Sequence, residues 1–313
     1  MKKVSILIPC YNEQESLPLM YDALCNLTKE PRASGYEWEF FFVNDGSKDG
    51  TLNILRSLHE ADSRVNYIDL SRNFGKENAM LAGFDYVTGD CTVIMDADLQ
   101  HPPVVALDML AKWEEGYEDV YAKRRTRGRE PWLRKTLSLL FYKILNKMSN
   151  VEMLQNVGDF RLLDRRCVEA LKQMRESERY TKGLFCWIGY KKTDVEFDSG
   201  DRVAGETSWN MWKLFKFATK GVVSFSTSPL HLATWLGLLV SAVAFVYMLF
   251  VLVKTIIYGD PVAGFPTLLC VILLLGGIQL LCIGIIGEYV ALMFNESKRR
   301  PVYLVREHNG ELE

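Results

Sequence analysis

The chain has 313 residues, 49% of them hydrophobic and 24% charged, with a formal net charge of −2. That length holds one sizeable domain plus a further part, and a balance so near neutrality excludes nucleic acid as a bulk partner. Mean hydropathy is close to zero, yet charges are dense up to about Lys220 and nearly vanish from Pro229 to Gly287, where only Lys254 and Asp260 interrupt. A polar domain followed by an apolar appendix is therefore expected. Seven cysteines, Cys10, Cys25, Cys91, Cys167, Cys186, Cys270 and Cys282, are odd in number and scattered, as in a reduced, cytosol-facing domain. The first strand-like run starts within four residues of Met1 without a small-residue cleavage site, so no signal peptide is expected.

In chain order, Val4-Ser-Ile-Leu-Ile-Pro9 reads as a buried strand that passes through Cys10-Tyr-Asn-Glu13 into a helix over 15–29. A second strand, Glu39-Phe-Phe-Phe-Val43, ends in Asn44-Asp-Gly-Ser-Lys-Asp-Gly50, after which 51–61 has helical spacing. A third, Asn66-Tyr-Ile-Asp-Leu70, leads through Ser71-Arg-Asn-Phe-Gly-Lys76 into a helix to about Val87. The fourth, in Cys91-Thr-Val-Ile-Met-Asp-Ala-Asp-Leu-Gln-His-Pro-Pro103, delivers Asp96 and Asp98 to its carboxyl end. Strands alternating with helices predict an α/β fold with a mostly parallel, Rossmann-like sheet covered on both faces. Such sheets bind ligands beyond the carboxyl ends of their strands. No Gly-x-Gly-x-x-Gly or Walker-type phosphate loop occurs, which lowers the weight of dinucleotide oxidoreductases and P-loop enzymes. Asp96, Asp98 and Gln100 offer oxygen ligands only, which suits a hard cation such as Mg²⁺ completed by diphosphate oxygens and waters. A bare Asp-x-Asp is more often an acidic loop than a metal site; the apolar strand before it and the proline pair after it favour the metal.

Ile8-Pro-Cys-Tyr-Asn-Glu13, Val43-Asn-Asp-Gly-Ser47 and Asp96-Ala-Asp-Leu-Gln-His-Pro-Pro103, in that order and spacing, resemble the family 2 glycosyltransferases of GT-A fold. Among these the chain is most similar to the polyprenyl-phosphate branch, which includes the bacterial bactoprenol (undecaprenyl-phosphate) glucosyltransferases and dolichol-phosphate mannose synthase. Gly284-Ile-Ile-Gly-Glu-Tyr289 and Lys298-Arg-Arg-Pro301 resemble the bacterial two-helix subgroup, so the match covers nearly the whole chain. The resemblance implies that Pro9, Tyr11, Glu13 and Asp45 hold the nucleoside, with Lys76, Ala97 and Arg124 also in the donor site. It further implies that Asp96, Asp98 and Gln100 hold Mg²⁺ or Mn²⁺ and the diphosphate, Asp98 counting among the catalytic residues. A helix cap and a packed ring are the plainer alternative for Glu13 and Tyr11.

From Asp119 a strand runs into a loop with Lys123, Arg124, Arg125, Arg127 and Arg129. Arginine forks grip phosphates, and Arg125 and Arg127 are assigned to the acceptor phosphate. The stripe Leu133, Leu137, Leu140, Phe141, Ile144, Leu145 and Met148 predicts an amphipathic helix, either packed on the core or lying among lipid headgroups. Val157-Gly-Asp-Phe-Arg-Leu-Leu-Asp-Arg165 resembles the family segment with a functional acid; the matching acid is Asp159, with Arg161 beside it as a second catalytic group. A short helix over 180–187 and a strand over 192–197 precede Arg202, a third acceptor-phosphate candidate; the family's Ser-Lys pair is replaced by Thr207-Ser208, without lysine. Trp209, Trp212, Phe215 and Phe217 interleave with Lys213, Lys216 and Lys220, as in a helix lying in the interface plane.

Residues 232–253 carry no charge and, at ~1.5 Å of rise each, reach ~33 Å, enough for a hydrocarbon core of ~30 Å. Residues 265–287 are a second such run. Lysines before the pair and Lys298, Arg299 and Arg300 after it place the first domain in the cytosol by the positive-inside rule. The organisation expected is a catalytic domain over 1–205, an interfacial linker over 206–228, a transmembrane hairpin over 229–294 and a basic cytosolic tail over 295–313. The activity expected is inverting, metal-dependent transfer of a hexose, glucose from UDP-glucose, to undecaprenyl phosphate by a multi-pass protein of the inner membrane. Other sugars stay open, as does a homo-oligomer. A processive polysaccharide synthase is disfavoured, because the Gln-x-x-Arg-Trp motif is absent; a non-catalytic membrane scaffold would have lost the acids that this chain keeps.

Overall fold

A computed structural model describes residues 1–125, 157–177, 179–198, 228–258 and 264–312. β1 (Lys2–Cys10) buries Val4 to Ile8 on both faces, as its unbroken apolar run requires. α1 (Leu17–Lys29), opened by Pro18, turns Leu17, Met20, Leu24 and Leu27 inward. β2 (Tyr36–Asn44) pairs parallel with β1 from Lys2↔Tyr36 to Cys10↔Asn44, so the two strands end flush and their following loops emerge side by side. α2 (Thr51–Ala61), β3 (Val65–Leu70) and α3 (Lys76–Tyr86) extend the sheet outward, β3 pairing parallel with β2. β4 (Cys91–Ile94) then returns to the other side of β1, with Leu7 opposite Ile94. That reversal of strand order opens a crevice at the carboxyl ends of β1 and β4.

Beyond β4 the pairing changes. α4 (Val105–Glu114) leads to β5 (Asp119–Arg124), but β6 (Val157–Asp164) inserts between β4 and β5, antiparallel to both. α5 (Arg165–Lys172) is capped by the Asp164 carboxylate, which accepts from Arg166 N at 2.9 Å. α6 (Thr181–Trp187) and β7 (Lys192–Phe197), parallel to β5, complete that side. One apolar layer joins Ile6, Ile8, Phe40 and Phe42 to α1, α2 and α4; the other joins Leu7, Phe41, Val43 and Ile94 to α3, α5 and α6. α3 lies so close to β1 that a Cβ on Gly83 would sit 2.1 Å from Leu7 Cδ1. The sequence expectation of a parallel, two-layered sheet describes the centre of this fold.

α7 (Ser228–Tyr258) and α8 (Phe265–Ser297) form the hairpin; α7 is longer at both ends than the expected span over 232–253, and α8 starts where expected but runs ten residues past 287. Trp235, Leu238, Phe245, Val246, Phe250, Leu280 and Ile283 are exposed, so these are not core helices. Among the described residues one segment, Leu274–Ser297, is long and apolar enough to cross a membrane on its own.

The tail is more than basic. After α8 the chain comes back to the sheet edge as β8 (Val305–His308), antiparallel to β3, and turns through Asn309-Gly310 into β9 (Glu311–Leu312). Asn309 and Gly310 have φ of 48° and 88°, the left-handed pair that a two-residue hairpin demands. Glu307 is buried against the Arg56 guanidinium and the Tyr67 hydroxyl.

Arg161 departs from its expected catalytic role. It is 2% exposed, its Nη1 lies 3.1 Å from Asp119 Oδ2, and its guanidinium packs 3.8 Å from the Phe185 ring centroid. It ties β6 to β5 inside the core. Burial presses the Asp119 carboxyl upward in pKa, and Arg161 is the main opposing influence. Arg161→Met leaves that carboxylate buried and uncompensated, and should lower folding stability by about 3–5 kcal/mol. Adding Asp119→Leu should recover more than half of the loss; thermal melts of the detergent-solubilised full chain measure both, and an unshifted Arg161→Met melt would return the residue to the catalytic set.

Candidate functional site

The loops that follow β1 and β2 are laced together. Asn12 N donates to Ser47 Oγ at 2.9 Å and Lys48 N to Asn12 Oδ1 at 2.9 Å, while Gln14 N donates to Asp49 Oδ2 and Gly50 N to Gln14 Oε1. Glu13 N donates to Thr51 Oγ1, and the Glu13 carboxylate accepts from Ser16 Oγ at the approach to α1. Pro9, the last residue but one of β1, is half-buried, and Tyr11 stands exposed at the rim. These residues form one continuous floor at the carboxyl ends of the central strands.

Asp45 is not presented to the cleft as a free acid. It is 3% exposed, and its oxygens accept from Phe74 N at 2.7 Å and Gly75 N at 2.9 Å. Burial raises its pKa and the two amides oppose that. Gly46 packs beneath the same loop, where a Cβ would fall 2.4 Å from the Arg72 carbonyl carbon. Asp45 therefore fixes the 71–75 loop that opens α3 and holds it against the ends of the central strands. The resemblance implies direct contact with the nucleoside; the structure shows the carboxylate buried and engaged by these two backbone amides.

From the loop that Asp45 holds, Lys76 reaches two carboxylates from different strands. Its Nζ lies 2.5 Å from Asp96 Oδ1 and 2.8 Å from Asp159 Oδ2. β6 is antiparallel to β4 with Arg161 opposite Ile94, so Asp159, two residues earlier, reaches the end of β4 where Asp96 stands. Burial by itself would raise Asp159, but Lys76 and then Lys182 outweigh it and hold the carboxyl well below its usual range. Burial likewise works against the Lys76 charge, and Asp159 followed by Asp96 overcomes it, so its pKa is raised. Asp159 Oδ1 is buried and makes no hydrogen bond among the described residues.

The acidic motif is a tight turn. Gln100 N donates to Asp98 Oδ1 at 3.1 Å and Leu99 adopts φ 59°, while Ala97 is buried, so the Asp96 and Asp98 side chains are the more accessible members. His101 supports the turn from below: it is buried, stacks on Phe160 at 4.7 Å, and its Nδ1 lies 3.5 Å from Asp96 N. Burial lowers its pKa, which favours the neutral ring. Sequence reasoning passed over His101, although it stands inside the acidic motif. It also passed over Glu77, whose Oε2 accepts from Thr181 N at 3.0 Å and whose pKa is raised by burial and then by Asp159.

Among the basic candidates, Arg124 ends β5 half-buried. Arg125 instead leans on β7, with Nη1 3.3 Å from Asp198 and Nε 3.5 Å from Glu196, both exposed pairs that differ from the expected phosphate contact. Arg127, Arg129, Arg202, the 132–148 helix and the 206–227 linker lie outside the described residues.

The model for glycosyl transferase family 2 matches residues 5–172, and that for the GtrB C-terminal hairpin matches residues 228–293. A Synechocystis protein described as an uncharacterized glycosyltransferase is 43% identical over 303 residues, 97% of this chain and 94% of that one. A prophage bactoprenol glucosyl transferase homolog of Escherichia coli K12 is 42% identical over 97% of this chain and 98% of its own, and the bactoprenol glucosyl transferase of Shigella phage SfV is 40% identical over the same shares. In shape there is a distant likeness to glucosyl-3-phosphoglycerate synthase from Mycobacterium tuberculosis, with a TM-score of 0.45 and 16% identity over 71% of this chain and 78% of that one. With an acid cluster at the strand ends, family motifs through the first domain and an apolar hairpin after it, this chain belongs to glycosyl transferase family 2 and carries a membrane-associating C-terminal hairpin of the GtrB type.

Proposed function

We propose that this chain transfers glucose from UDP-glucose, with inversion, onto undecaprenyl phosphate at the cytosolic leaflet of the inner membrane. The observation that carries the reading is the Lys76 ammonium held between Asp96 and Asp159, which gathers the acidic motif and the candidate catalytic acid into one site. The relatives named bactoprenol glucosyl transferases, alike over nearly the whole chain, supply the donor and acceptor classes.

The ligand set suits a divalent cation. Asp96, Asp98 and Gln100 present oxygen only, and among the described residues no cluster of three or more His, Cys, Asp or Glu could hold an ion alone. Two carboxylates completed by diphosphate oxygens is the habit of Mg²⁺ and is open to Mn²⁺. When bound there, the cation would offset charge on the departing diphosphate. Asp159 would do something other than remove a proton. The second pKa of a phosphate monoester is ~6, so the acceptor is mostly ionised at neutral pH, and a carboxylate with a depressed pKa is a weak base. Asp159 instead orients Lys76 towards the space that both phosphates must share.

The positive-inside pattern and the docked tail together support an even number of crossings. β8 follows α8 and pairs with β3, so the exit from the hairpin lies on the catalytic domain's side. A residue at the hairpin tip such as Gly264→Cys should react with an impermeant maleimide from the outer side, while a C-terminal fluorescent reporter should glow in the cytosol. The opposite labelling would refute the leaflet assigned.

Purified protein with undecaprenyl phosphate, Mg²⁺ or Mn²⁺ and a panel of radiolabelled nucleotide sugars tests the activity. Glucosyl lipid from UDP-glucose is expected; no transfer from any donor would favour the scaffold reading. Asp159→Asn should cost roughly 10²-fold in turnover, the size of a positioning loss. That loss should be flat with pH, whereas recovery above the phosphate pKa would point to a base.

A further inference from the structure

Residues 298–312 lie beyond both matched regions, yet they end against the donor loops. β8 pairs Asp69 with Glu307 and Leu70 with Val305, so Arg306 is the extra residue of a β-bulge. Bulges re-aim a side chain, and this one turns Arg306 towards the carboxyl end of β3. Its Nη1 lies 3.2 Å from Asp69 Oδ2, a close ion pair, and its Nη2 donates to the Ser71 carbonyl at 2.5 Å. Ser71 N in turn donates to the Leu304 carbonyl at 2.9 Å, so the tail holds Ser71 by both backbone groups.

Two routes lead from there into the site. Asp69, 1% exposed, accepts from Asn44 Nδ2 at 2.7 Å; Asn44 Oδ1 accepts from Ser47 N at 3.4 Å, and Ser47 Oγ from Asn12 N. The second runs along the backbone from Ser71 through Phe74 and Gly75, which the Asp45 carboxylate holds, to Lys76. We propose that Arg306, from the far side of the membrane hairpin in sequence, is a positioning residue for the nucleotide-sugar site. It sets the spacing between the 44–47 and 71–75 loops on which the donor rests. This rests on the donor class proposed above.

Arg306→Gln in the full-length, detergent-solubilised protein should raise the KM for UDP-glucose about tenfold, the loss of one charge-assisted hydrogen bond, with kcat within about threefold and the KM for undecaprenyl phosphate within about twofold. Arg306→Lys should recover part of the donor KM. Glu307→Gln weakens the same strand through Arg56 and Tyr67, and should lower the melting temperature without moving the donor KM. A donor KM unchanged in Arg306→Gln, or raised equally in Glu307→Gln, overturns the inference, the second result meaning that tail docking alone matters. If the wild type transfers no sugar, the functional reading fails separately. Titration calorimetry with UDP and Mg²⁺ then decides Arg306: binding about tenfold weaker in the variant upholds it, and equal binding or a wild type that binds no UDP overturns it.

Discussion

One ammonium between two carboxylates organises this molecule. Asp96 and Asp159 come from antiparallel neighbours, β4 and β6, whose register forces the acids together at one end of the sheet. Two partly buried like charges within reach of one ammonium repel, and one of them would take up a proton unless a cation intervened. Lys76 intervenes from the first turn of α3. A lysine there is opposed by the positive end of the helix dipole, so the carboxylates and the acid Glu77 compensate the helix as much as the lysine compensates them. The site therefore depends on three elements at once, and none of them makes it alone.

Around this centre the structure separates residues that touch the cleft from those that hold it in place. Asp45 and His101 sit within the family motifs but are buried, one fastening the 71–75 loop and the other lying under the acidic turn. Arg161 shares a strand face with Asp159, two residues away, yet is spent in the core on Asp119 and Phe185. A buried ion pair is weak evidence for net stability, but breaking it is costly, so its presence reports on geometry rather than chemistry.

The hairpin and the tail give the domain its place. α7 and α8 expose large apolar side chains that water would not tolerate over such an area, and a bilayer is the medium that suits them. The return of the chain to β3 means that membrane attachment does not hang from a single linker: Ser177 N donates to Glu296 Oε1 at 2.7 Å, the Tyr303 hydroxyl to Asp85, and Glu307 meets Arg56. These contacts tie the end of the hairpin and the tail to the catalytic domain at several points.

The sequence by itself determined the strand–helix alternation, the acids at the end of β4, the candidate acid in Val157-Gly-Asp and the two apolar helices, because each is written in local periodicity or in a contiguous motif. It also contained a hairpin signal that went unread, Asn309-Gly310, hidden in a tail that looked merely basic. What only the tertiary structure decided depends on partners distant in the chain. Whether Arg161 faces cleft or core, whether Asp45 is free or clasped, and which strand β8 joins are set by residues up to 251 positions away, as between Arg56 and Glu307. A charged side chain reads the same in sequence whether it awaits a ligand or already has one; burial and pairing make the distinction, and they exist only once the sheet has closed.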